Sequence, residues 1–510
     1  MLLSSTAGLL RQFVFAHYLG QRTVAADAFT AAFRITNFLQ NLFGEGVLSA
    51  SFIPVYARLL AEGDEEEAGR VAGAVAAILA LTTSLLVLVG VAATPYLIYA
   101  IAPGFHGAKR ELTIRIVRIL FPGAGLLVIS AWCLGILNSH RKFFLSYTAP
   151  VIWNVVMIAV LVAFRRVSQS GLAVLLAWGS VAGSALQFGV QLPMVLRLAR
   201  RLRFKLDNRS GQVREVVRNF GPVFVSRGVV QISAYVDSLL ASLLGTGAVA
   251  ALTNAQTLNL LPVSLFGMSV SAAELPAMSS ALGGEAEVAS YLRQRLDSGL
   301  GRIAFFIVPS AMAFLALGGV VTAALFENGL FKARDSSYVW GILAGSAVGL
   351  LASTLGRLYS STYYALRDTR TPLRYAVIRV SLTTVLGYLC AIPLPRWLGL
   401  EPRWGVAGLT AAAGVAGWVE FALLRRTLNA RIGRTGLPAG LVAKLWVSAA
   451  LAASAGWAVK LAMAPAAPGP VVTAAAVLGT YGATYFGATY LLGVKESASA
   501  LHRLARLRSR

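Results

Sequence analysis

Apolar stretches longer than the roughly 20 residues a helix needs to cross a hydrocarbon core about 30 Å thick recur from one end of this chain to the other. No segment between them is long enough for a soluble domain. The 510 residues are 57% hydrophobic and only 13% charged, with a mean hydropathy of +0.70. A soluble chain of this length needs far more charge to cover its surface. The sequence therefore reads as an all-α polytopic membrane protein. Cys133 and Cys390 both fall inside apolar stretches and read as small packed side chains, neither a disulfide framework nor a metal site.

About fourteen transmembrane helices are expected, near 1–20, 28–58, 71–101, 112–138, 143–164, 170–196, 214–244, 247–281, 300–326, 337–365, 372–393, 404–424, 441–462 and 470–493. The second is interrupted by Asn37, Gln40, Asn41 and Glu45, and the eighth by Asn254, Gln256 and Asn259. Polar residues at helical spacing inside a span point to a face turned toward protein or water instead of lipid.

Lys and Arg in short loops set the orientation. His140-Arg141-Lys142, the stretch from Arg197 to Lys205, Arg367 to Arg374, Arg425 to Arg434 and the tail from Arg503 to Arg510 all fall on one side. Opposite loops hold scattered cations such as Arg22, Lys109, Arg110 and Arg396. Both termini are therefore expected on the cytoplasmic face of an inner membrane. The net charge of +24 is mostly this bias, so no nucleic-acid partner is needed to explain it. Met1 leads straight into Leu2-Leu3-Ser4-Ser5 with no basic region or cleavage site, so no signal peptide is read. The first span looks shortened at its start, which points to a start codon upstream.

The chain repeats itself. Leu19-Gly20 followed by Val24-Ala25-Ala26 recurs as Leu244-Gly245 followed by Val249-Ala250-Ala251, at a spacing of 225. Phe43-Gly44, Ser49-Ala50 and Pro54 recur as Phe266-Gly267, Ser271-Ala272 and Pro276, and each copy then runs into an acidic loop. Pro150 likewise answers to Pro372. The offset contains six spans, and an even number leaves both copies in the same orientation, with a pseudo-twofold axis along the membrane normal. The expected organisation is an N-lobe over 1–198 (spans 1 to 6), a basic cytoplasmic linker over 199–211 and a C-lobe over 212–427 (spans 7 to 12). Spans 13 and 14 with a basic cytoplasmic tail occupy 428–510. Two such lobes facing each other across a central cavity form an alternating-access architecture.

Enzyme signals are absent: no H-E-x-x-H, Walker loop, G-x-S-x-G or Cys/His cluster occurs. The expectation is a transporter and not an enzyme, without cofactor or metal. Charge inside the spans is the informative class, because an ionised group in the hydrocarbon core costs at least about 2.5–3.5 kcal/mol unless paired or hydrated. In the first lobe these groups are Arg11, Asp27, Arg34 and Glu45; in the second they are Arg227, Asp237, Glu274, Arg357 and Arg379. Arg34 and Glu45 share a face of the second span, and Arg227 and Asp237 lie ten residues apart on the seventh. Helix–helix ion pairs or snorkelling would account for any one of them. Their concentration in the helices that begin each lobe favours a cavity lined by Arg11, Arg34, Arg227, Asp27, Glu45 and Asp237.

Asp27-Ala28-Phe29, Ala32-Phe33-Arg34-Ile35, Asn37-Phe38, Phe43-Gly44-Glu45-Gly46 and Ser49-Ala50-Ser51-Phe52-Ile53-Pro54 resemble the signature of the MurJ (MviN) lipid II flippases, in the multidrug/oligosaccharidyl-lipid/polysaccharide exporter superfamily. Gln231 through Asp237, and Leu261-Pro262-Val263-Ser264-Leu265-Phe266-Gly267 through Leu275-Pro276, are similar to its second-lobe signature. The resemblance covers essentially the whole chain. It implies a lipid II substrate, the undecaprenyl-pyrophosphate-linked peptidoglycan precursor, moved from the cytoplasmic to the periplasmic leaflet for cell-wall biogenesis. It also implies arginines on the pyrophosphate, a groove for the lipid tail at the thirteenth and fourteenth helices, and cell-wall synthesis machinery as a further partner.

The chain departs from the family pattern where Ser5, Gln40 and Thr257 stand at positions usually held by Arg, and where Gln12 replaces an acid. Thr383 and Thr384 replace a sodium-site carboxylate that some members carry, while Asp237 remains. Arg11 persists, with Arg34 and Arg227 as candidate replacement cations. The missing arginines leave two alternatives open: export of another polyprenyl-linked glycan or amphiphile, and a transport-inactive membrane scaffold on the same fold.

Overall fold

The computed structural model describes residues 2–497 except 45–47, 49–50, 200, 205–209, 280–283 and 467–468, and leaves the side chains of 2–5 and 221–234 undescribed. Among the described residues every regular element is helical. The chain divides into two compact units, Met1–Ala250 with Asn328–Leu330, and Ala251–Glu327 with Phe331–Arg510.

The first unit contains α1 (Leu2–Leu19), α2 (Val24–Phe43), α3 (Ile53–Ala61), α4 (Glu65–Ile101), α5 (Gly107–Ser139), α6 (Phe143–Ala163), α7 (Gln169–Leu198) and α8 (Gly211–Ser242). The chain passes into the second unit through α9 (Ala248–Ser279). It continues as α10 (Glu285–Ala316), α11 (Gly318–Phe326), α12 (Ala333–Ala365), α13 (Arg370–Ala391), α14 (Gly405–Ile432), α15 (Ala439–Met463) and α16 (Pro470–Leu491).

Eleven of these, α4 to α7, α9, α10 and α12 to α16, are long and apolar enough to cross a membrane. The three long helices that fall short, α1, α2 and α8, are the ones loaded with polar groups. Arg11 and Gln12 lie on α1; Asp27, Arg34, Asn37, Gln40 and Asn41 on α2; Arg214, Glu215, Arg218, Arg227 and Asp237 on α8. With them the passes number fourteen among the described residues.

Two expected spans end elsewhere. The second, read as 28–58, stops at Phe43, where Gly44 closes the helix by donating its N–H to the Gln40 carbonyl. A separate short helix then starts with Pro54 in its first turn, where a missing N–H costs nothing. The ninth, read as 300–326, begins fifteen residues earlier, at Glu285. Glu285 and Glu287 favour the positive end of the helix dipole, so the helix extends beyond its apolar part before breaking ahead of Gly318.

The repeated sequence produces repeated local geometry. Gly20 and Gly245 close α1 and α8 with φ of +70° and +100°, a conformation other residues rarely adopt. Among the described residues only two non-glycines have positive φ, Arg141 at 58° and Arg367 at 59°. They occupy matching turns, since α5 and α12 that precede them are both 33 residues long. The second-lobe motif departs from α geometry. Pro262 cannot donate the next ladder bond, and Val263–Met268 forms a π-helical turn inside α9.

The core of the first unit joins α1, α2, α5, α6 and α7 through Phe15, Phe29, Ile116, Leu120, Met157 and Leu176. In the second unit α12 and α14 meet at Gly349 and Gly414, whose approach leaves no room for a Cβ.

Candidate functional site

Arg11 projects from the middle of α1 toward α2 and α6. Its guanidinium lies 5.0 Å from the ring centres of both Phe33 and Trp153. Those two rings stack at 5.6 Å and 15°, and Phe29 extends the stack at 5.7 Å. Helical spacing places Phe29 and Phe33 one turn apart on the same face of α2. Trp153 is fixed from behind, its indole N–H donating to the Ser180 carbonyl of α7 at 3.1 Å. Arg11 itself donates one hydrogen bond among the described residues, a 3.7 Å contact from Nη1 to the Met157 thioether. No carboxylate pairs with it among the described residues. Aromatic faces and a weak sulfur acceptor hold this charge in place of a carboxylate.

Arg34, about three turns into α2, belongs to a different environment. Its backbone carbonyl accepts from the Tyr235 hydroxyl of α8 at 2.9 Å, and Phe38 packs edge-on against the same Tyr235 ring at 5.1 Å. Asp237, two residues on, acts electrostatically on the Arg34 guanidinium. Arg34 and Asp237 thus lie within electrostatic reach of each other across α2 and α8, a proximity that spacing along one helix does not reveal. Glu45 lies outside the described residues, and Arg227 lies on α8 with its side chain outside them.

Asp27 is completely buried. Its carboxylate accepts from Lys109 Nζ at 2.6 Å, the Gly247 N–H at 2.6 Å and the Ala250 N–H at 3.1 Å. The two N–H groups come from the start of α9, so the acid caps that helix from another part of the chain. Lys109 also rests over the Phe105 ring at 3.9 Å. Gln21 completes the joint by donating to the Gly247 carbonyl at 2.8 Å.

In the second unit Glu274, also buried, pairs with Arg295 at 2.8 Å and Arg302 at 3.3 Å on α10. Arg379 of α13 pairs with Glu420 of α14 at 3.3 Å, within the electrostatic reach of Arg357. Sequence reasoning missed Glu420, although an acid midway along an apolar helix is itself the signal. It also placed Lys109 in a loop, whereas the first turn of α5 carries it to Asp27. No group of His, Cys, Asp or Glu that could hold a metal ion is present among the described residues.

A family model described as lipid II flippase MurJ matches residues 15–473. A Rhizobium meliloti protein described as a probable lipid II flippase MurJ is 30% identical over 97% of this chain and 94% of its own. A Burkholderia cenocepacia protein described as lipid II flippase MurJ is 31% identical over 84% of this chain and 82% of its own. A solved structure of lipid II flippase MurJ in an inward closed conformation shares the fold with a TM-score of 0.79 at 22% identity, covering 96% of this chain and 97% of that one. An inward-facing multidrug resistance MATE family transporter of the MOP superfamily shares it with a TM-score of 0.68 at 21% identity, over 84% of this chain and 95% of its own.

Proposed function

The chain belongs to the MurJ family of lipid II flippases, and from that premise we propose how its own residues carry the lipid. It moves undecaprenyl-pyrophosphate-linked peptidoglycan precursor from the inner to the outer leaflet of the bacterial inner membrane by alternating access, both termini cytoplasmic. Arg11 is the principal cation for the pyrophosphate, and Arg34 and Arg227 assist it. Asp237 balances Arg34, Glu45 contributes to the same polar surface, and Asp27 holds the start of α9 in place. The lobes at 1–198 and 212–427 are the two alternating halves, a reading supported by the matched turns at Gly20 and Gly245 and at Arg141 and Arg367. Cell-wall enzymes that consume the delivered precursor are the class of partner this implies.

The observation that carries the mechanism is the hold on Arg11. Cation–π contacts are worth about 0.5–2 kcal/mol each, and a hydrogen bond to a charged phosphate about 1.5–3 kcal/mol. Two parallel N–H bonds from the guanidinium fork to a phosphate therefore exceed what the rings provide, by an amount small enough to reverse on release. A carboxylate partner would make that exchange far more costly. The test is growth of a strain depleted of its own flippase and supplied with this chain. Restored growth, with precursor accessible on the outer leaflet, is expected. A chain that reaches the membrane at normal abundance and restores nothing overturns the proposal.

A further inference from the structure

On the outside of the first unit, α5 and α7 enclose a groove of about 430 Å³ lined by Glu111, Ile114, Arg115, Arg118, Ile119 and Trp178. Glu111, Arg115 and Arg118 are all exposed, and none has an ion pair or hydrogen bond among the described residues. Trp178 is 57% exposed on the neighbouring helix. The three charges follow one stripe of α5 at spacings of four and three residues, so they face the same way. A favourable pair from Glu111 to Arg115 is available at that spacing, yet the structure leaves both groups open toward the groove.

Depth matters here. At 1.5 Å per residue, Arg115 lies about 12 Å and Arg118 about 17 Å from the start of α5, while Trp178 lies about 14 Å from the start of α7. These two helices run in the same direction, because the single pass α6 lies between them. Exposed tryptophan marks the headgroup level of a bilayer, so the two arginines sit at the level of the lipid phosphates and Glu111 about 6 Å further toward water. Ile114 and Ile119 add apolar surface to the groove, Ile119 just below the two arginines at the depth where glycerol lies.

We propose that this groove is a binding site for an aminophospholipid of the phosphatidylethanolamine type, with Arg115 and Arg118 on its phosphate and Glu111 on its ammonium. The order of charges along the helix, cations deeper and an acid nearer water, is the order of phosphate and ammonium in that headgroup. A phosphatidylglycerol headgroup would satisfy the arginines but leave Glu111 beside a hydroxyl and an added net negative charge. Arginines that merely snorkel would use neither the acid nor the groove. The site is separate from Arg11 and holds a bilayer lipid in place, so its failure says nothing about precursor transport.

The full chain reconstituted into vesicles of equal phosphatidylethanolamine and phosphatidylglycerol, then released and weighed by native mass spectrometry, reports which lipid it retains. The wild type is expected to retain phosphatidylethanolamine by roughly two- to fivefold, the scale of one exposed ion pair. Glu111→Gln removes that preference while lipid is still retained. Arg115→Ala with Arg118→Ala loses the retained lipid. All three side chains are exposed, and an unchanged melting temperature identifies the variants as folded. Equal retention of both lipids by the wild type, or unchanged retention by the double variant, overturns the proposal.

Discussion

Arg11 and Asp27 lie sixteen residues apart in the same unit, and the fold treats their charges in opposite ways. Asp27 is sealed from solvent with a salt bridge and two backbone donors, so its hydrogen-bonding capacity is spent inside the protein. Arg11 faces two aromatic rings and a thioether, which leave most of its five donors uncommitted. A charge whose partners are complete holds helices together. A charge held only by polarisable surfaces can change partners, which a carrier of a pyrophosphate lipid requires. Glu274, with an arginine on either side, belongs with Asp27 in this division.

The comparison breaks most directly at Arg11. Arg11→Ala should abolish growth of a flippase-depleted strain and lower flipping in proteoliposomes by at least about tenfold, since each lost bond to charged phosphate is worth about 1.5–3 kcal/mol. Arg11→Lys should restore part of it, because lysine supplies the charge without the fork. Both variants should reach the membrane at normal abundance, since no ion pair among the described residues is broken. Full growth with Arg11→Ala would remove the distinction between the two charges.

Asp27→Ala should act on stability first. Removing one partner of a buried pair costs about 3–5 kcal/mol, mostly because the other charge is stranded, and here the first turn of α9 also loses its cap. The expected readout is reduced membrane abundance and a lower melting temperature in detergent. Asp27→Asn combined with Lys109→Met should recover much of the loss. A double variant as unstable as the single would show that the backbone donors of Gly247 and Ala250, and not the ion pair, carry the joint.

These assignments show what the sequence could reveal and what it could not. Eleven of the passes follow from hydropathy alone, because each must exceed a fixed length, whereas α1, α2 and α8 carry too many polar groups to meet that test. The ends of α2 and α10 do not follow from hydropathy either. A helix stops where its last N–H and carbonyl groups find other partners, as Gly44 provides, and it outruns its apolar segment where the first turn carries acids, as at Glu285. Arg11 is visible as a mid-span cation. Its aromatic surroundings are not, since Trp153 is 142 residues away and becomes a neighbour only when α6 packs against α1. The Asp27 joint was hidden for the same reason, with Lys109 and Gly247 contributed from distant segments.

Trp153→Leu sharpens the comparison on a smaller scale. It removes one cation–π contact while keeping an apolar neighbour, a change of about 0.5–1 kcal/mol. Flipping should fall by roughly two- to fivefold and not vanish, with the melting temperature lowered modestly by the lost ring. A null effect on transport would mean that the rings only fill space beside Arg11. A loss as complete as in Arg11→Ala would mean that the ring, not the cation, is the primary contact.

The smallest expected effect lies outside the spans, at a charge satisfied like Asp27 but open to water. Asp368 follows the strained turn at Arg367 and caps α13. Its carboxylate accepts from the Thr371 N–H at 3.0 Å, the Thr371 hydroxyl at 2.8 Å and the Arg370 N–H at 3.1 Å, and pairs with Arg431 at 2.7 Å. The Thr371 N–H, joined by its hydroxyl and by Arg431, holds the carboxyl down at about 2. A lowered folded-state value means the contribution is complete above the ordinary carboxylate range near 4 and disappears as pH falls from there through about 2. Asp368→Asn should therefore lower the melting temperature by a few degrees at pH 7, in keeping with a cap worth about 1 kcal/mol. That deficit should stay constant down to about pH 5 and shrink below pH 4, as the wild type loses what the variant already lacks. A deficit that instead grew on acidification would show that Asp368 is stabilised in its protonated form. The parallel with Asp27, a carboxylate holding a helix start by its ionised oxygens, would then fail.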